Sequence, residues 1–259
     1  DATGRVLSNS VSGPSGDPLV DVTLPANGEY FVKVHDALYQ QGPGYYYRIQ
    51  MGVLPYLDFV FPPAGLPGSN EEYTLYGRNL PGGQASAYQL GGRPLEMLKV
   101  RIPIPAEAIS QLRFTSRLDP QSSSIDGIEY RVSAGNLASN PVLLSCATAP
   151  LVTEQANETA ETAQKLSLPC EVAGQFYPQR DVDWYQFESK IGEQWVIDVV
   201  SQRLNVPSDP SLLIQRVMTD KEGKTQITEV AFLDDNPEPN FNNRTGRHEF
   251  DTRTADPSY

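Results

Sequence analysis

The segment Leu98-Lys99-Val100-Arg101-Ile102-Pro103-Ile104 alternates apolar and polar side chains over most of its length. Successive side chains of a β-strand point to opposite faces, so this period of two predicts a strand with one buried face. Shorter runs of the same kind occur at residues 73–77, 127–132 and 141–145. Short strands at this spacing predict an immunoglobulin-like β-sandwich over residues 53–147.

Strand patterns also occur on both sides of this central region. Residues 29–36 place Tyr30, Val32 and Val34 on one face, and with residues 45–51 they predict a β-hairpin. After residue 148, strands are predicted at 170–175, 183–188, 194–201, 212–217 and 226–232. Helical periodicity is confined to about two turns at residues 160–166. The predicted fold class is therefore all-β, as tandem antiparallel sandwiches.

Size and charge limit the function classes. The 259 residues suffice for two or three domains, and 39% of them are hydrophobic. The net charge of −12 argues against nucleic acid and against an anionic membrane surface, because both require basic patches. No apolar run is long enough for a membrane-spanning helix, so we expect no membrane insertion in this segment. Both ends of the sequence look like cuts through a longer protein.

Two segments form a recognisable pattern, namely Asn157-Glu158-Thr159 and the later Asp181-Val182-Asp183-Trp184-Tyr185-Gln186-Phe187. This pattern resembles the bacterial pre-peptidase C-terminal (PPC) domain. The hairpin that begins at Gly28-Glu29-Tyr30 looks like the last hairpin of the same domain. Residues 55–83, with Pro62-Pro63-Ala64-Gly65, resemble an immunoglobulin-like module of the TIG type.

The resemblance implies three modules and a location. Residues 1–52 would be the C-terminal part of a PPC-like jelly-roll sandwich, and residues 53–147 an immunoglobulin-like sandwich. Residues 148–259 would be a second PPC-like sandwich that lacks its last hairpin. Such modules occur beside secreted peptidases and in bacterial surface proteins, so the resemblance implies a secreted or cell-surface protein without catalysis in this segment.

A calcium site is a further implication of the resemblance. The residues that match calcium-ligand positions of related collagen-binding domains are Glu154, Asn157, Glu158, Asp181 and Asp183. Asp181 and Asp183 lie on the same side of an extended segment because side chains alternate. Calcium takes about six to eight oxygen ligands, so the other three residues would have to fold back onto this pair. The alternative is a solvated loop with no metal.

Aromatic residues and cysteines give two further predictions. Tyr46, Trp184 and Tyr185 are candidates for contact with a ligand, although aromatic residues beside a strand are more often part of a core. Cys146 and Cys170 would close a disulfide that stabilises by about 3 kcal/mol through loop entropy. The alternative for this pair is two buried free thiols.

Catalytic motifs are lacking in the sequence. There are two histidines, His35 and His248, and neither lies in a recognisable nucleophile or metalloprotease motif. We therefore expect no enzyme, but binding, adhesion or spacer modules that contact an extracellular protein or polysaccharide. Two alternatives remain open, namely an accessory region of a secreted peptidase and a carbohydrate-binding module.

Overall fold

A computed structural model describes residues 4–10, 18–110, 125–204, 206, 208–219 and 223–233. The chain divides into two compact units, Asp1–Gly52 and Val53–Tyr259. The described secondary structure is almost entirely strand, with short 3₁₀ turns at Ala108–Ser110, Ala160–Thr162 and Gln202–Leu204. The predicted all-β fold class is confirmed. The assignment of residue ranges to particular modules remains a prediction.

The largest sheet has four antiparallel strands. These are β1 (Tyr56–Phe61), β3 (Asn70–Arg78), β4 (Gln84–Leu90) and β5 (Arg93–Pro103), in the spatial order β1-β3-β5-β4. The alternating residues 98–103 form the second half of β5, which pairs with β3 from Asn70↔Pro103 to Gly77↔Glu96. Gly77 is required in β3 because a Cβ at this position would overlap the carbonyl oxygen of Tyr56.

A smaller sheet faces the first one. It consists of β2 (Ala64–Gly65), β6 (Gly127–Tyr130) and β9 (Val142–Cys146), in the order β2-β9-β6. One cluster of buried side chains draws from both sheets, including Leu57, Leu75, Ile102, Ile128 and Leu144. Two sheets that share one apolar core form a β-sandwich, and this sandwich lies within residues 53–147. The short pair β7 (Ser133–Ala134) and β8 (Leu137–Ala138) connects β6 to β9.

The segment after residue 147 is built from pairs of strands. Two parallel pairs come first, with β10 (Leu151–Thr153) beside β12 (Glu171–Ala173), and β11 (Gln164–Lys165) beside β13 (Tyr185–Gln186). The antiparallel pair β14 (Leu212–Thr219) and β15 (Thr225–Leu233) follows. Few side chains are buried among the described residues of this segment, and Asn157 and Ala173 are among them. It therefore has much less core than the sandwich.

Several local predictions are wrong. No strand forms at residues 29–36 or 45–51, where Val32 and Ile49 remain exposed. An isolated hairpin is marginal unless a further layer covers its apolar face, and none of the described residues 18–52 forms such a layer. Residues 194–201 form no strand either. The predicted helical segment at 160–166 is one 3₁₀ turn followed by β11.

Within the described residues, the longest helical stretches are single turns, and none of them has the length or hydropathy of a membrane-crossing helix. His248 lies outside the described residues.

Candidate metal site

Three carboxylates converge in the segment that follows the sandwich. Oxygen atoms from Glu154, Asp181 and Asp183 all lie within 4.8 Å of one another. Each of the three residues is half-buried. Glu154 lies 27 positions before Asp181 in the sequence, so the fold brings together residues from two separate segments.

Parallel pairing of β10 with β12 places Glu154. The strand register continues for one residue, because the backbone N–H of Glu154 donates to Ala173 O at 2.9 Å. The Glu154 carboxylate then accepts a 2.6 Å hydrogen bond from the backbone N–H of Gln175. Gly174 makes this approach possible, since a Cβ at that position would lie 2.8 Å from Glu154 Oε2.

A tight turn places Asp181. The backbone N–H of Asp181 donates to Pro178 O at 3.1 Å, and the Asp181 carboxylate accepts a 3.0 Å hydrogen bond from the N–H of Tyr177. Arg180 within this turn has φ of 73°, a left-handed conformation that is uncommon for a residue with a side chain. Loop residues 174–181 thus hold both Glu154 and Asp181 through backbone donors.

Asn157 ties the preceding connection to the segment that contains Asp183 and leads into β13. Its side chain donates to Trp184 O at 3.1 Å, and its own carbonyl accepts from the N–H of Trp184 at 2.9 Å. The side chain of Asn157 is only 1% exposed. The side-chain nitrogen and the main-chain carbonyl of Asn157 therefore fix the backbone next to Asp183. Its role as a ligand remains a prediction.

The electrostatics of the group are unfavourable without a cation. Burial, together with the negative charges of Glu154, Asp181 and Glu158, raises the pKa of Asp183 from 3.8 to about 6, and a hydrogen bond with Asn157 partly offsets this rise. Asp183 Oδ1 is buried and accepts no hydrogen bond from the described residues. Burial and the charge of Asp183 also raise the pKa of the neighbouring Tyr185 hydroxyl to about 12.

This donor set suits a hard divalent cation. All its ligand atoms are carboxylate oxygens, which calcium and magnesium prefer, whereas zinc and softer metals favour nitrogen and sulfur. Three carboxylates offer up to six oxygens, and an oxygen that accepts one backbone hydrogen bond keeps a second lone pair. The unpartnered Asp183 Oδ1 is the atom that a cation would satisfy.

The other predicted site residues have different positions. Glu158 is exposed and is not in the group of three, although its charge raises the pKa of Asp183. Tyr185 and Trp184 are half-buried beside the carboxylates, and they do not form an exposed platform. Tyr46 is 89% exposed and belongs to the other compact unit. A ligand-binding role for these aromatic residues remains a prediction.

The predicted disulfide is not formed, because Cys146 and Cys170 are both free thiols. Cys146 ends β9 in the smaller sandwich sheet, whereas Cys170 precedes β12 in another sheet. A disulfide needs Cα atoms roughly 4.4–6.8 Å apart with facing Cβ atoms, and loop entropy alone does not create that geometry. Burial is the main cause that raises the pKa of each thiol.

An aromatic cluster next to the carboxylates was not predicted. On the large sheet, Phe59 stacks on Tyr76 with ring centroids 4.6 Å apart, and Tyr88 lies 5.1 Å from Tyr76. Tyr177 from the loop contacts Tyr88 edge-on at 4.9 Å. These residues come from different strands and from a distant loop, so no sequence spacing could have identified them together.

His35, the histidine within the described residues, lies on the surface. His35 is exposed, stacks on Tyr39 with centroids 5.0 Å apart, and has Nδ1 3.0 Å from Asp36 O. A general base would need a nucleophile within hydrogen-bond reach, whereas the contacts of His35 in the described part of the chain are with the Tyr39 ring and the Asp36 carbonyl.

Comparison with models of protein families, with curated proteins and with solved structures found no match to this chain.

Proposed function

We propose that this chain is a calcium-binding, non-catalytic binding or spacer region of a secreted or surface-exposed bacterial protein. The observation that carries the proposal is the convergence of Glu154, Asp181 and Asp183, with one buried carboxylate oxygen left unpartnered. The resemblance to PPC and TIG modules supports the same proposal.

The chain's own residues suggest what bound calcium would do. Glu154 follows β10, which leads out of the sandwich, whereas Asp181 and Asp183 belong to the connection between β12 and β13. A cation shared by these carboxylates would hold the connection and the loop together. It would also offset the repulsion that raises the pKa of Asp183. In such a region the metal supplies rigidity, and exposed loops remain free to contact a protein or polysaccharide partner.

Calorimetric titration with calcium tests this proposal on the whole chain. We expect saturable binding in the wild type and at least a tenfold loss of affinity in Asp183→Asn, because this change removes a ligand charge while preserving shape. Calcium should also raise the melting temperature of the wild type, since a ligand that binds the folded state stabilises it.

Glu188→Gln is the matched control, because Glu188 is an exposed carboxylate just beyond β13 and outside the group of three. It should bind calcium as the wild type does. Absence of calcium binding in the wild type, or equal binding by the Asp183→Asn variant, would contradict the proposal.

A further inference from the structure

The loop that holds the carboxylates also contacts the sandwich. Tyr88, in β4 of the large sheet, donates its hydroxyl hydrogen to Gln175 Oε1 at 3.2 Å. Its ring meets the ring of Tyr177 with centroids 4.9 Å apart and planes at 73°, an edge-to-face arrangement. Such aromatic pairs are attractive beyond the area they bury.

The same two loop residues hold the carboxylates by their backbones. Gln175 donates its N–H to Glu154 at 2.6 Å, and Tyr177 donates its N–H to Asp181 at 3.0 Å. Each residue therefore touches Tyr88 with its side chain and a carboxylate of the site with its main chain. A shift of the loop away from Tyr88 would displace both hydrogen-bond donors.

We propose that Tyr88 and Tyr177 are positioning residues of the metal site, and that calcium binding and docking of loop 174–181 on the sandwich are thermodynamically coupled. This inference rests on the proposed function. Tyr88 is no ligand and acts through Gln175 and Tyr177. Coupling of this kind is reciprocal, so calcium strengthens docking by the same factor by which docking strengthens calcium binding.

The aromatic cluster of Phe59, Tyr76 and Tyr88 on the large sheet supports the docked loop. Tyr88 also contacts Tyr76, with ring centroids 5.1 Å apart, and Tyr76 stacks on Phe59 of the neighbouring strand β1. Burial raises the pKa of the Tyr76 hydroxyl, consistent with a partly covered cluster. The loop therefore docks on a packed surface, and its position on the sandwich is transmitted to Glu154 and Asp181.

Calorimetric titration of four variants with calcium tests the coupling. We expect Tyr177→Ala to lower calcium affinity about fivefold or more, the lower range of typical coupling between sites. Tyr177→Phe keeps the ring and should restore affinity close to that of the wild type. Tyr88→Phe removes only the hydroxyl that donates to Gln175 Oε1, so a smaller loss of about twofold to fivefold is expected.

Phe176→Ala is the matched control, because Phe176 is 57% exposed beside Tyr177 at 55%, and no ring contact involves it among the described residues. It should leave calcium affinity unchanged. A chelator-treated melt of each variant separates this effect from general destabilisation, since a merely structural role would lower the melting temperature without changing affinity well below it.

Failure of calcium binding and failure of the coupling give different results. If the wild type does not bind calcium, the proposed function fails. If the wild type binds calcium and both Tyr177→Ala and Tyr88→Phe bind it equally well, the coupling alone is refuted. A poorly folded Tyr177→Ala leaves Tyr88→Phe to decide, because loss of the hydroxyl alone preserves the ring and its contacts with Tyr76 and Tyr177.

Discussion

At the scale of single residues, Asp183 is the most informative position. Two carboxylates and the charge of Glu158 surround it, and one of its oxygens is buried without a hydrogen bond. A hydrogen bond with Asn157 offsets the rise in the pKa of Asp183 only in part. A buried carboxylate oxygen without a hydrogen bond is costly unless another interaction compensates for it, and a cation at the proposed site would supply that interaction.

The raised pKa of Asp183 predicts how the stability of the metal-free protein depends on pH. The folded state binds a proton between pH 3.8 and about 6 that the unfolded state has released, so the free energy of unfolding contributed by this group falls as pH rises through that window. Asp183→Asn removes the titration. In chelator, the melting temperature of the variant should fall less than that of the wild type between pH 4 and pH 6.

Saturating calcium should weaken or reverse this slope in the wild type alone, because binding requires the ionised carboxylate. Parallel melting curves for wild type and variant across that pH window in chelator would show that Asp183 has an ordinary pKa.

At the scale of secondary-structure elements, strands bury their apolar side chains where two sheets share a core. Strand β3 pairs on both sides, with β1 and with β5, and buries Tyr73 and Leu75 against the smaller sheet. The pair β14 and β15 has eight paired residues, as many as β3 with β5, but leaves Leu213 and Val217 exposed. Pairing alone therefore does not indicate stability, and burial across a second layer does.

Truncation of one leucine in each element tests this difference. Leu75→Ala in β3 removes a fully buried side chain and should lower the free energy of unfolding by about 2–5 kcal/mol. Leu213→Ala in β14 removes one that is 42% exposed and should cost much less. Chemical denaturation monitored by circular dichroism measures both, and equal losses would contradict the assigned core.

At the scale of the whole molecule, the described residues after 147 depend on few apolar contacts. The sandwich has one continuous core. In the later segment, many contacts between distant residues are strand pairs, the hydrogen bonds of Asn157 and the approach of the three carboxylates. Segments with little buried apolar surface open locally at lower free energy than a packed core. Calcium at the proposed site would therefore act mainly on this segment.

Limited proteolysis with and without calcium measures this difference. We expect chelator to accelerate cleavage between residues 154 and 181, while residues 56–103 of the large sheet stay protected in both conditions. Asp183→Asn should be cleaved rapidly in either condition. Equal cleavage of the wild type with calcium and with chelator would mean that the metal does not stabilise this segment.

The sequence alone determined the fold class and part of the site. The period of two in residues 98–104 is a local property of the chain, and it correctly placed a strand with Ile102 buried. The spacing of Asp181 and Asp183 likewise predicts neighbouring carboxylates, and their oxygens lie within 4.8 Å of each other, although a turn and not an extended strand precedes Asp183. Both inferences depend only on neighbours within a few residues.

The tertiary structure decided everything that depends on distant partners. The same alternation at residues 29–36 produced no strand, because a strand needs a partner and a covering layer that local sequence does not supply. Parallel pairing of β10 with β12 brought Glu154 to the aspartates, and a loop contact brought Tyr177 to Tyr88. Contacts of this kind follow from how sheets pack, and side-chain periodicity carries no information about that packing.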